Sequence, residues 1–509
     1  MYSIVKTATI FGIDSKIISV EADVSEGMPM FDMVGYLSSE VKEARERVRA
    51  ALKNEGYALP IKRITVNLSP ANIKKTGSGF DLPIAVAILS AIGIINCDTL
   101  DSICLCGEIA LDGKIQPVNG VLSMVMEAKK NNIGVVIVPE DNLLEARLVP
   151  EIISIGVKQL KDVIELLNNN EFKMEEISVA LPKQLTEELF DFSMINGQQA
   201  LRRACEVAIS GMHNLLMVGP PGAGKSMIAK CIPSILPPMD SEEQMELSKI
   251  YSVSGMFDER MGLIKNRPFR SPHHTVSAQG LVGGGHIPKP GEISLAHGGV
   301  LFLDELTEFS KSTLEILRQP LEDKRVNIAR AQGSFTFPAD FVLVAAMNPC
   351  SCGYYPDLNR CHCTRMSIQR YLSKISQPLL DRIDICVEAP TVNFSMLNKK
   401  QNNESSSDIR ERVIKAHEIQ KRRYADYGYK FNSQIPSNLI ENFCKLNDED
   451  MDYMEEMYEK YSLTARTYHK VLKVARTIAD MDESETITRI HLQEALLYRG
   501  LDRKYWEEG

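Results

Sequence analysis

Leu215-Leu216-Met217-Val218-Gly219-Pro220-Pro221-Gly222-Ala223-Gly224-Lys225-Ser226 runs from four apolar residues into a G-x-x-x-x-G-K-S loop. Met227–Cys231 continues it as a helix, so the loop has the strand–loop–helix setting of a phosphate cradle. Glycines let the backbone wrap an anion because no Cβ blocks close approach. The loop amides and the helix N-terminus then face the phosphates. Lys225 supplies a point charge for the β- and γ-phosphates, and Ser226 a hydroxyl for Mg²⁺. Gly219–Ser226 therefore reads as a nucleotide site for ATP with Mg²⁺.

Two further apolar runs extend this reading. Gly299-Val300-Leu301-Phe302-Leu303-Asp304-Glu305 is a strand ending in two acids, following the loop by 79 residues from Lys225 to Asp304. Asp304 suits Mg²⁺, a hard cation that takes oxygen ligands. Glu305 suits polarising an attacking water. Simple strand termination is the other reading of the two acids. Phe341–Met347 is a third strand ending at Asn348-Pro349, where a polar side chain can hold a water between Glu305 and the γ-phosphate. An Asn before Pro is also a common turn.

The 509 residues, 44% hydrophobic and 25% charged, are enough for about three domains with sizeable cores. The net charge of −9 argues against a molecule that is basic as a whole, so any nucleic-acid contact must come from a local basic surface. The N-terminus has no basic segment followed by an apolar run, and Leu82–Ile95, the most apolar stretch, is too short to span a bilayer. The expectation is a cytoplasmic protein without membrane contact, with Leu82–Ile95 as a buried helix. Strands are expected at Ile64–Leu68 and Val135–Pro139, and a charged helix at Val41–Glu55.

The expected domains are 1–170, 191–395 and 409–509, joined by linkers at 171–190 and 396–408. The second linker includes the polar tract Asn398–Ser407, which reads as flexible. The last domain is helical in pattern. No internal repeat is evident.

Eleven cysteines without a secretion signal point to reduced thiols or metal ligands. Cys350, Cys352, Cys361 and Cys363 form C-x-C-x₈-C-x-C, which reads as a candidate structural zinc site; four free thiols in a reduced loop is the alternative. His273 and His274 are adjacent and would diverge on a regular strand, so they read as structural histidines before metal ligands.

With its three strands the chain resembles an AAA+ ATPase, and more narrowly the magnesium-chelatase-like branch of the ComM/YifB type. The resemblance rests on Arg267–Thr275, Gly283-Gly284-Gly285, Pro290–Gly299 and Leu379–Asp384, and covers nearly the whole chain. It implies an AAA+ P-loop core with a parallel sheet, a C-terminal helical lid, and a homohexameric ring with ATP between subunits. Arg382 matches the family's arginine finger, and Arg466 the lid arginine that reports the γ-phosphate. A surface arginine paired with Asp381 or Asp384 is the other reading of Arg382, and an ordinary helix-surface arginine that of Arg466. Val326–Phe337 reads as a β-hairpin. In related ring helicases such a hairpin points into the pore, where Arg330 and Lys289 would contact DNA phosphates; a hairpin without ligand is the alternative.

Lys74–Pro83, Gly113–Gly120 and Val135–Asn142 resemble the Lon protease domain, which makes the whole an α/β chain with a Lon-like N-terminal domain. Gly79 stands where that family's serine belongs, and Met124 where its lysine belongs, so proteolysis is not expected. Ser78 with Lys74 or Lys75 is a chance alternative. The resemblance implies a hexameric ATP-driven motor on DNA, a branch-migration helicase in recombination and natural transformation. A chelatase-like remodeller of a partner protein and an ATP-dependent protease are the rival readings.

Overall fold

In the N-terminal third, alternation of apolar and polar residues builds a sheet with one buried face. The computed structural model describes residues 1–170, 172–173, 190–258, 262–285, 288–330, 333–391, 403–500 and 503–507. β1 (Tyr2–Phe11) and β2 (Asp14–Ser25) form an antiparallel hairpin in which Val5, Ile18, Val20 and Ala22 are fully buried. β3 (Met30–Val34), β4 (Arg63–Ser69), β5 (Ile103–Leu105), β8 (Val135–Pro139) and β9 (Ile153–Val157) complete a seven-stranded mixed sheet of order β3-β4-β2-β1-β5-β8-β9. β6 (Glu108–Ile109) and β7 (Ile115–Gln116) make a small separate hairpin.

The apolar stretch beginning at Leu82 forms the buried helix Asp81–Ala91, which packs on β1 and β2. It stops before Gly93, whose φ of +81° is left-handed. The charged helix Ser39–Asn54 buries Val41, Ala44, Val48, Ala51 and Leu52 as a stripe of helical period.

The central sheet is built on the other pattern. β10 (Leu215–Val218), β11 (Phe269–Arg270), β14 (Val300–Leu303), β17 (Val342–Met347) and β18 (Ile385–Glu388) pair in parallel, in the order β11-β14-β17-β10-β18. Strands covered on both faces need continuous apolar runs, and every residue of β10, β14 and β17 is buried. Two hairpins project from this core: β12 (Gly283–Gly284) with β13 (Lys289–Pro290), and β15 (Arg325–Arg330) with β16 (Gly333–Pro338).

The C-terminal region is helical, with Ser406–Arg423, Asp448–Lys460, Ala465–Met481 and Arg489–Leu497 as its longer helices. Ser405–Ser407, expected to end a flexible tract, instead open the first of these. Ser405 and Asp408 form a reciprocal capping box that satisfies the free amides of the first turn. Positions 174–189 and 396–402 of the two expected linkers lie outside the described residues.

The N-terminal sheet touches the core at the β1–β2 tip, where the Phe11 and Phe335 rings lie 4.8 Å apart. A second joint is Glu145, which accepts from the Ser252 hydroxyl and, at 2.9 Å, from the Leu122 amide. Among the described residues no helix is long and apolar enough to cross a membrane.

Candidate nucleotide site

β10 delivers the chain into the loop at the C-terminal edge of the parallel sheet. Gly222 and Gly224 have φ of +76° and +84°, which side-chain-bearing residues rarely adopt. A Cβ on Gly219 would lie 2.3 Å from the Ala389 carbonyl oxygen, so only glycine lets the loop pass β18. The amides of Gly222 and Gly224 donate to no backbone acceptor among the described hydrogen bonds, which leaves them for a ligand. The helix Lys225–Ile235 follows directly.

Lys225 is 8% exposed. Its Nζ donates to the carbonyls of Gly219 (2.6 Å) and Pro220 (3.0 Å) and to Oδ1 of Asn348 (3.1 Å). Burial lowers the pKa of this amine, and Asp304 and Glu305 oppose the shift. The Ser226 hydroxyl donates to Asp304 Oδ2 at 2.6 Å. The other Asp304 oxygen accepts from the Glu305 amide at 2.9 Å. A hydroxyl and a carboxylate side by side are the oxygen donors that Mg²⁺ takes, next to an ammonium that pairs with phosphate. The residues present therefore fit ATP with Mg²⁺.

Glu305 itself has φ of +51°, and its side chain is 61% exposed. The loop Gly219–Ser226, Asp304, Glu305 and Asn348 are thus gathered at the C-terminal ends of β10, β14 and β17, three neighbouring strands.

The two candidate arginines are elsewhere. Asn214, at the opposite end of β10, donates through Nδ2 to the Arg382 carbonyl at 2.8 Å. Asn214 and Gly219 are separated by about 16 Å of strand at ~3.3 Å per residue. The Arg382 guanidinium donates to the carbonyls of Arg318 (2.9 Å) and Pro378 (2.6 Å) and pairs with Glu322. Arg466 pairs with the other oxygen of Glu322 at 3.2 Å. Neither Asp381 nor Asp384 is the ion-pair partner of Arg382.

His273 and His274 do not diverge. They lie in a turn after β11 with ring centroids 4.0 Å apart, because turn dihedrals remove the alternation of a strand. His274 Nδ1 is 3.7 Å from Glu305 Oε2, a neighbour of the candidate base that sequence reasoning missed. Gln198 was missed as well. With φ of +56°, it donates through Nε2 to the Ala223 and Pro390 carbonyls, at 3.0 and 2.6 Å, while its buried Oε1 has no partner among the described residues. The turn-forming Asn196-Gly197 just ahead of a helix was the only available signal.

Lys289 and Arg330 sit on adjacent hairpins. Gly284 pairs with Lys289, and a Cβ on Gly284 would lie 3.4 Å from an Arg330 nitrogen. Both basic side chains are exposed. The sulfurs of Cys350, Cys352, Cys361 and Cys363 all lie within 4.8 Å of one another.

In the N-terminal sheet Lys6 Nζ donates to the Ser19 hydroxyl at 2.8 Å across β1 and β2, away from the positions expected for a catalytic pair. Gly79 faces Val118, with a Cβ 3.7 Å from its Cγ1, and Met124 is buried in an apolar cluster with Val121 and Leu122. Lys75 is buried and donates to the Pro70 carbonyl, and no described hydrogen bond joins it to Ser78.

A five-stranded parallel sheet with this loop and these acids on neighbouring strands defines an AAA+ P-loop ATPase. The chain belongs to the magnesium-chelatase-like ComM/YifB family. It is 41% identical over 507 residues to the competence protein ComM of Haemophilus influenzae, covering 98% of each chain. It is 42% identical over 503 residues to the uncharacterized protein YifB of Escherichia coli, covering 98% of this chain and 97% of the relative. The family "Magnesium chelatase, subunit ChlI" matches residues 191–397, "Subunit ChlI of Mg-chelatase" matches 20–142, and the ChlI C-terminal family matches 403–499. A stretch covering 34% of this chain is 28% identical over 197 residues to Lon protease 2 of Bacillus subtilis, spanning 35% of that protein. The N-terminal domain is therefore Lon-like, and the protein is an ATPase of the AAA+ class that takes ATP and Mg²⁺.

Proposed function

We propose that the chain is the subunit of a homohexameric motor that spends ATP to move DNA, a branch-migration helicase serving recombination. The observation that carries the DNA reading is the pairing of two exposed basic residues, Lys289 and Arg330, on neighbouring hairpins. Cations spaced along a strand-like ridge neutralise phosphates without reading sequence, which is what a translocating motor needs. They do so on a chain whose net charge is −9, so the contact is local and not a property of the whole surface.

The ring reading is supported by the distance of Arg382 and Arg466 from the loop of their own chain. Together with Lys470 and Lys473 they line a groove of about 580 Å³ at the far edge of the sheet. Arg382 and Arg466, both paired with Glu322 in a groove that also holds Asp381 and Asp384, are suited to turn to the phosphates of a neighbour's nucleotide. In this reading Glu305 polarises the attacking water and Asn348 positions it. Lys225 neutralises phosphate charge, Ser226 and Asp304 would hold a Mg²⁺ that supplies further positive charge there, and Arg382 and Arg466 of an adjacent subunit stabilise charge in the transition state. The Lon-like domain, with Gly79 and Met124 at the positions expected for the serine and lysine, serves as a scaffold.

The name of the Haemophilus relative, a competence protein, favours a role in competence. The decisive experiment gives purified protein ATP, Mg²⁺ and forked or three-stranded DNA. ATP-dependent strand movement with DNA-stimulated hydrolysis is expected. Protein that neither binds nor moves such DNA, while hydrolysing ATP normally, removes the DNA reading and leaves a remodeller of a partner protein.

A further inference from the structure

We propose that Cys350, Cys352, Cys361 and Cys363 bind one zinc ion, and that this site clamps the phosphate loop in the shape that receives ATP. The inference uses only the ATPase class of the protein and is independent of any action on DNA.

The first support is the geometry of the sulfurs. Cys350 Sγ lies 3.3 Å from Cys352 Sγ and 3.8 Å from Cys361 Sγ, and Cys352 lies 3.5 Å from Cys361. All four, Cys363 included, fall within 4.8 Å of one another. With Zn–S bonds of about 2.3 Å, the edge of a sulfur tetrahedron is about 3.8 Å. The observed separations bracket that value. They exceed the ~2.05 Å of a disulfide bond. A cubane iron–sulfur cluster, which binds one thiolate per iron at four separate corners, would hold its ligands further apart.

The second support is the way the chain presents these sulfurs. Cys350 leaves the end of β17 and is fully buried. The Gly353 amide donates to the Cys350 carbonyl at 3.0 Å, closing a tight turn, with Gly353 at φ +87°. The Tyr355 amide then donates to Cys350 Sγ at 3.4 Å, the arrangement that steadies a metal-bound thiolate. Cys361 is brought back by its amide bond to the Asp357 carbonyl at 2.7 Å. The C-x-C pairs, tighter than the usual knuckle, are accommodated because a glycine turn and a buried strand end hold one pair while the loop returns the other.

The coupling to ATP lies in what this turn touches. A Cβ on Gly353 would fall 2.4 Å from Cδ of Pro221 and 2.8 Å from its Cγ, so the turn lies flat against the phosphate loop. The same segment begins two residues after Asn348, which accepts from Lys225 at 3.1 Å. Zinc therefore holds a rigid plate between the end of β17 and Pro221. Loss of the metal frees that plate, and the loop loses its support on one side. Four sulfur ligands leave no open position, so the ion takes no direct part in hydrolysis.

Metal analysis of the purified full-length chain is expected to find about one zinc per chain, released on titration with a mercurial and detected with a zinc-binding dye. Iron in its place, or no metal in protein purified without chelator, overturns the zinc assignment. Cys352→Ser with Cys363→Ser is expected to lose zinc and to weaken binding of a fluorescent ATP analogue about tenfold, the lower end of what loss of support around a metal site costs. Should that variant not fold, Gly353→Ala tests the coupling with all four ligands present: zinc content unchanged, affinity for the ATP analogue reduced. ATP affinity that stays unchanged in a zinc-free variant, or in Gly353→Ala, overturns the clamp.

Discussion

His274 Nδ1 lies 3.7 Å from Glu305 Oε2, so the candidate base is faced by an imidazole from the turn after β11. Glu305 is otherwise exposed and sits on a left-handed backbone, with little else to hold its carboxylate. The histidine is suited to orient it between waiting and reactive positions. His274→Ala is expected to lower kcat for ATP by roughly tenfold with little change in ATP affinity, the signature of a group that acts in the transition state. Steady-state kinetics beside a binding titration separate the two, and an unchanged kcat removes His274 from the mechanism.

Lys225→Ala removes the cation at the floor of the loop. In the free protein its ammonium is satisfied by two carbonyls and Asn348, and a bound nucleotide replaces these with phosphate oxygens. Charged hydrogen bonds are worth about 1.5–3 kcal/mol each, so affinity for ATP should fall on the order of 100-fold. Normal affinity in this variant would refute the phosphate assignment.

Glu305→Gln keeps the shape of the side chain and loses its basicity. It should bind ATP as the parent does and hydrolyse it roughly 10²–10⁴-fold more slowly, the usual worth of general-base catalysis. Turnover at the parental rate would mean that another group activates the water.

Arg382→Ala tests assembly in trans. On its own it should be nearly inactive, as should Lys225→Ala. Mixed before assembly, the two variants form some interfaces with both residues intact, and part of the ATPase activity should return. A mixture as inactive as its components shows that the arginine does not serve a neighbour.

Asp384 ties the helical region to the sheet. Its carboxylate meets Lys470 of the helix Ala465–Met481 at 2.9 Å and accepts from the Asn214 amide at 3.0 Å. Burial alone would raise its pKa, but Lys470 and His213 more than reverse this and hold it well below the usual carboxylate range. A depressed folded-state pKa contributes stability that is present above the unfolded value of 3.8 and lost as pH falls below it. Asp384→Asn should therefore destabilise the protein by about 3–5 kcal/mol at neutral pH, by leaving a buried ammonium unpaired. Its loss of stability on acidification should also be shallower than the parent's. Parallel stability curves for parent and variant in denaturant titrations between about pH 5 and about pH 2.5, a window reaching below the unfolded pKa, would contradict this role.

Much of the core was legible in the chain because its signals are local. The phosphate loop needs glycines at fixed offsets, and a parallel strand covered on both faces needs an unbroken apolar run. Both requirements act within a dozen residues, so Leu215–Ser226 and Val300–Glu305 could be read without the fold. The absence of a serine–lysine pair at Gly79 and Met124 was likewise a matter of residue identity. Capping was local too, yet Ser405–Ser407 read as loose chain, because a serine run looks alike in a linker and at a helix start.

The remaining decisions needed residues far apart in sequence to meet. The sequence determined that Lys225, Ser226, Asp304 and Glu305 have the chemistry of an ATPase. Only the tertiary structure decided that His274 faces Glu305, that Gln198 braces Ala223, and that Gly353 rests on Pro221. Likewise, Arg382 and Arg466 had the right chemistry for a phosphate, but their distance from it depends on which end of β10 they flank. Spacing along a chain reports periodicity, whereas proximity across a sheet depends on strand order, which no single segment encodes.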